Sequence, residues 1–138
     1  MTYAVIDLAE GAMTFARAGH TPLMYLPGSN AGSEVQILTP SGIVVGLRIP
    51  GATEKFAELL EEDRVGLSRG DVVVLYTDGL AEARSGEQLF GEDRVANTLR
   101  RDPGVSPDVL CKVLLEAARD FATEPISDDI AILAIKRA

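Results

Sequence analysis

Early in the chain, short apolar runs alternate with turn-forming clusters. Tyr3 to Leu8 and Met13 to Ala18 flank Ala9-Glu10-Gly11, a pattern that predicts a β-hairpin with Gly11 in its turn. Gly19-His20-Thr21-Pro22 breaks the pattern, and Leu23 to Leu26 reads as a further strand. Pro27 to Ser33 is a polar turn. Val35 to Leu38 and Ile43 to Val45 are short strand candidates on either side of Thr39-Pro40-Ser41-Gly42. Thr53 to Leu60 has helix-forming composition, whereas Glu61 to Leu67 alternates loosely, leaving that region open between helix and strand. Ser68-Arg69-Gly70-Asp71 predicts a turn, and the apolar run Val72 to Tyr76 predicts a strand.

Helical spacing enters late. Glu92 to Arg101 carries Glu92 and Asp93 in its first turn and Arg100 and Arg101 in its last, an order that suits the helix dipole. Asp102-Pro103-Gly104 stops it. A second helix opens with Ser106 as N-cap and Pro107 as first helical residue. Leu110, Leu114, Ala117 and Phe121 then recur on one face, and Ile130 to Ile135 closes the chain as a strand. Strands first and helices later predict an α+β fold with antiparallel sheet. The unbroken apolar runs Val72 to Tyr76 and Ile130 to Ile135 predict burial on both faces and a central place in the sheet.

Composition narrows the function. With 138 residues the chain is long enough for one domain, 1–138, with a real core. Asp and Glu number 21 against 13 Lys and Arg, for a net charge of −8. An acidic surface with no basic cluster argues against nucleic acid and against anionic membranes. No apolar run is long enough to span a bilayer, and the N-terminus lacks the pattern of a signal peptide. Cys111 is the only cysteine, so no intramolecular disulfide framework exists. Within the second helix it reads as a small buried hydrophobe. These features fit a reducing cytoplasm.

Two acidic sites remain to be explained. Asp78, followed by Gly79, stands at the C-terminal end of one apolar strand; Asp128 and Asp129 stand at the N-terminal end of another. Antiparallel neighbours would put those ends on one sheet edge, with strands about 4.8 Å apart. Carboxylates packed so closely repel one another, and a hard divalent cation removes the conflict. Oxygen donors, with one His in the chain, favour Mg²⁺ or Mn²⁺ over zinc. The same residues also serve as turn formers, Asp78 after one strand and Asp128 before the other.

Four segments together resemble the metal-dependent PPM-type serine/threonine phosphatases, in the bacterial SpoIIE/RsbU-like branch. They are Ala18-Gly19-His20-Thr21-Pro22, then Gly70 to Gly79 with Glu82-Ala83, then Gly86-Glu87-Gln88-Leu89-Phe90-Gly91, and Asp128-Asp129-Ile130-Ala131-Ile132-Leu133. The resemblance implies an antiparallel β-sandwich flanked by helices, with a metal centre at one edge. It implies Asp78 and Asp128 as metal ligands, with Asp129 behind the ligand or exchanging roles with it. Gly79, Gly19 and His20 support the motifs, His20 in a turn rather than as a general acid. Arg69 and Arg84 flank the Asp78 strand within reach of a substrate phosphate, but solvated surface charge is the favoured reading for both. The implied reaction is hydrolysis of phosphoserine or phosphothreonine by a water held between two metal ions. The implied partner is a phosphorylated anti-anti-sigma protein of the STAS type, in bacterial sigma-factor signalling.

The chain also departs from that family. The earlier motif Gly-Asp-Val-x-Gly-His-Gly and an Asp further upstream are absent, and Ala131 stands where Thr or Ser is usual. The resemblance therefore covers the C-terminal part of the catalytic domain, with the N-terminal part missing. One weakly held Mn²⁺ or Mg²⁺, or none, is the expectation for these residues, against two ions in the family. Missing strands should leave sheet edges open to a homodimer or to strand addition. The alternative is a non-catalytic pseudophosphatase, a binding module without the first metal motif.

Overall fold

The structure is a computed structural model and describes residues 1–28, 34–48, 50–101 and 104–138. In chain order the elements are β1 (Thr2–Asp7), β2 (Ala12–Arg17), β3 (Leu23–Leu26), β4 (Gln36–Leu38), α1 (Ala52–Leu59), β5 (Glu62–Gly66) and β6 (Val72–Tyr76). There follow α2 (Asp78–Ala81), β7 (Arg84–Ser85), β8 (Gln88–Leu89), α3 (Gly91–Arg101), α4 (Pro107–Phe121) and β9 (Ile132–Lys136). The fold is α+β with antiparallel sheets, as the order of strands and helices predicts. Its residues gather into two compact units.

The first unit comprises Met1–His20 and Thr39–Leu67. Its sheet has the order β1-β2-β5, and the predicted hairpin is present, with Ile6 opposite Met13. The open region resolves into α1 followed by β5, because Glu62 to Gly66 finds a partner in β2. Ile43 to Val45 is not a strand. Val44 packs beside Gly19 instead of entering a ladder.

The second unit comprises Thr21–Leu38 and Ser68–Ala138. Its sheet has the order β4-β3-β6-β9, antiparallel throughout. Val72, Val74 and Tyr76 join Leu80, Phe90, Val95, Leu99, Leu110, Leu114 and Ala118 in one core, which is how the apolar faces of α3 and α4 are buried. Ser106 caps α4 by accepting from the Val109 amide at 3.4 Å, with Pro107 first in the helix. Phe90 meets Phe121 edge-on, their centroids 5.7 Å apart, and Arg94 lies over the Phe121 ring.

The structure differs from the sequence pattern at β9 and at Cys111. β6 is central, but β9 is the outer strand of the sheet among the described residues. Its apolar run reflects only one buried side: Ile132 and Ala134 pack on the core, while Leu133 is 55% exposed. Cys111 is half-buried rather than buried, its thiol 3.8 Å from the Ile132 carbonyl. The expected turn residues Ser29 to Ser33, and the helix stop at Asp102 and Pro103, lie outside the described residues. Among those described, no helix is long and apolar enough to cross a membrane.

Candidate metal centre

The pairing of β6 with β9 decides where the acidic residues fall. The register sets Tyr76 opposite Ile132, so Asp78 leaves β6 at the same sheet edge at which Asp128 and Asp129 lead into β9. Asp78 does more than turn the chain: it is the first residue of α2, with Thr77 as N-cap in extended backbone. The Leu80 amide donates to the Thr77 carbonyl (3.1 Å) and the Glu82 amide to the Asp78 carbonyl (2.7 Å), closing this short helix. A carboxylate at the first turn also suits the partial positive charge there.

Gly79 brings the two acidic segments into contact. A Cβ on Gly79 would stand 2.6 Å from the Asp129 carbonyl oxygen and 2.9 Å from that of Asp128. Only a residue without a side chain permits this approach. Next to it, the Thr77 amide donates to the Ala131 carbonyl (3.0 Å), and Thr77 Oγ1 bonds across to both Asp129 and Ala131.

Asp78, Asp128 and Asp129 are exposed. Asp78 Oδ1 accepts from the Gly79 amide at 3.1 Å, and Asp128 Oδ1 from the Asp129 amide at 2.7 Å. The second oxygen of each has no hydrogen-bond partner among the described residues. These free carboxylate oxygens at one edge fit a hard, oxygen-preferring cation. They form an incomplete shell: among the described residues no three His, Cys, Asp or Glu side chains gather into a metal-sized group. An open cleft of about 510 Å³ adjoins them, lined by Asp128, Asp129, Arg119, Glu124, Leu115 and Ile126 among others.

Gly19 and His20 belong to the first unit. Gly19 adopts φ 63 in a bend after β2, and the His20 carbonyl accepts from Arg17 Nη1 at 2.7 Å. Arg69 and Arg84 are exposed. Thr77 stands in the Gly70 to Gly79 motif, but its spacing alone assigns it no role; a hydroxyl residue directly before Asp-Gly at a strand end is the signal it carries. Tyr76, just before it, is buried; burial, and then the charge of Glu92, push its phenol far up.

Comparison with known proteins bears on this arrangement. The family described as Stage II sporulation protein E (SpoIIE) matches residues 1–138. The chain belongs to the SpoIIE family. The resemblance seen in short motifs thus extends over the whole chain. Protein IcfG of Synechocystis sp. is 27% identical over 136 residues, which is 98% of this chain and 20% of that protein. Phosphoserine phosphatase RsbU of Bacillus subtilis is 23% identical over 137 residues, 99% of this chain and 38% of that protein. The chain therefore spans well under half the length of these relatives. The phosphatase domain of SpoIIE from Bacillus subtilis, in manganese-presoaked crystals, superposes with a TM-score of 0.69 at 19% identity. That match covers 99% of this chain and 56% of the SpoIIE chain, and shows a shared fold.

Proposed function

We propose that this SpoIIE-family chain carries the later part of a metal-dependent protein serine/threonine phosphatase site. The observation that supports it is the β6–β9 pairing, which sets the backbone around Asp78 against that of Asp128 and Asp129. In this reading Asp78 and Asp128 are ligands of Mn²⁺ or Mg²⁺, and Asp129 supports Asp128 or takes its place. Bound there, a divalent cation lowers the pKa of water and neutralises phosphoryl oxygens. The chain's own residues hold the carboxylates at one edge and leave them open to solvent. The substrate is a phosphoserine or phosphothreonine of a regulatory protein, of the phosphorylated STAS-type anti-anti-sigma class, in the cytoplasm. The name of the relative, phosphoserine phosphatase RsbU, supports the phosphoserine part of this assignment, and the STAS-type partner is proposed on the family resemblance.

Because the described carboxylates do not complete a shell, two-ion chemistry is absent or very slow in these 138 residues by themselves. Phosphate release from a phosphoserine peptide, with and without Mn²⁺, measures this. The expected result is turnover at the edge of detection; brisk Mn²⁺-dependent release contradicts an incomplete site. The same lack of a three-ligand group favours a second reading, a binding module without catalysis. The genomic sequence upstream of Met1 separates the two. A reading frame running through Gly-Asp-Val-x-Gly-His-Gly supports the enzyme, and one that begins at Met1 supports the binding module.

A further inference from the structure

We propose that Thr77 is a positioning residue of this site, whose hydroxyl holds the Asp128–Asp129 segment against Asp78 where β6 and β9 part. The inference rests on the metal-site reading above. Thr77 and Ala131 continue the register one step beyond Tyr76 and Ile132. In an antiparallel ladder such a hydrogen-bonded pair exchanges two bonds, amide to carbonyl in each direction. Here only one has that form, the Thr77 amide donating to the Ala131 carbonyl at 3.0 Å. The Thr77 carbonyl turns away from the ladder and accepts from Leu80, because the chain must start α2 at Asp78. The hydroxyl takes its place: the Ala131 amide donates to Thr77 Oγ1 at 2.9 Å. Its own proton goes to the Asp129 carbonyl at 2.8 Å.

One side chain thereby does two things. It releases the backbone carbonyl to build the helix that carries Asp78, and it fixes the segment that carries Asp128 and Asp129. Gly79 allows the close approach, and Thr77 ties it. Only Ser or Thr offers an acceptor and a donor at that reach. Groups that orient metal ligands govern affinity although they never touch the ion.

The test compares Thr77→Val, which keeps the shape and loses both bonds, with Thr77→Ser, which keeps the hydroxyl. Two readouts are taken on chains whose circular dichroism matches the wild type: Mn²⁺ affinity by calorimetry, and amide hydrogen exchange at Ala131 by NMR. Thr77→Val should weaken Mn²⁺ binding about tenfold or more, the range known for groups that orient ligands, and should speed exchange at Ala131. Thr77→Ser should preserve both. Wild-type Mn²⁺ affinity in Thr77→Val overturns the positioning role even if Ala131 exchanges faster, since the hydroxyl would then be structural only. Equal losses in the Ser and Val variants overturn it as well. Asp78→Asn serves as the control on the underlying reading. If it leaves Mn²⁺ uptake intact, or the wild type takes up none, the metal assignment fails. Ala131 exchange then still decides whether Thr77 holds the segment.

Discussion

Asp71 lies at the opposite end of β6 from Asp78 and is only 2% exposed. It accepts from the Tyr25 hydroxyl (2.7 Å), the Gly28 amide (2.8 Å) and the Ser68 amide (2.6 Å). Burial works to raise its pKa, but these hydrogen bonds and the charge of Arg137 outweigh it, and the carboxyl titrates below the usual value of 3.8. Tyr25 moves the other way: burial first, then the bond to Asp71 and its charge, push the phenol up to about 12. The two shifts give opposite limbs of a pH–stability curve. Asp71 holds fewer protons folded than unfolded below pH 3.8, so its contribution is full above that value and fades as pH falls through the lowered pKa. Tyr25 holds more protons folded than unfolded between pH 10 and about 12, so its contribution is lost as pH rises through that window. Urea unfolding against pH should show Asp71→Asn flattening the acid limb and Tyr25→Phe the alkaline one. Unchanged limbs would contradict the assignment. None of this network was legible beforehand. Ser68 to Asp71 announces a turn, but Tyr25 lies 46 positions away, and nothing in either segment names the other. Asp78 and Asp128 were legible because each abuts an apolar run, which fixes its place on a strand end.

At the scale of elements, the strength of the hydrophobic signal decided what the sequence could tell. Val72 to Tyr76 is a strand over just those residues, and the cap Ser106-Pro107 marks the start of α4. The consecutive apolar residues of β9 read as burial on both faces and hence as a central strand. An outer strand packed on one face carries the same letters, and Leu133 shows the difference. The short helix α2 was hidden because four residues have no periodicity to read. It depends on the close contact at Gly79. Gly79→Ala puts a methyl 2.6 Å from the Asp129 carbonyl oxygen, so the segments must separate. A cost of about 1–3 kcal/mol is expected, as for other forced overpacking, together with weaker Mn²⁺ binding. Chemical denaturation and calorimetry measure both; wild-type values in each would show that the contact is not needed.

For the whole molecule, the net charge of −8 argues against a nucleic-acid partner, and the proposed protein substrate is consistent with it. Open strands are its conspicuous surface. Among the described residues, β1 ends the first unit's sheet with Tyr3 64% and Val5 50% exposed, and β9 ends the second unit's sheet. Unpaired edges of this kind recruit another strand. Light scattering should show association rising with concentration, and a monodisperse monomer at high concentration would count against pairing through these edges. The proposal that Asp78 and Asp128 form the chain's own share of a divalent-metal site is narrower. Calorimetric titration with Mn²⁺ tests it most directly. Weak binding of a single ion is expected, lost in Asp78→Asn and in Asp128→Asn. Two tightly bound ions, or binding that survives both substitutions, would contradict it.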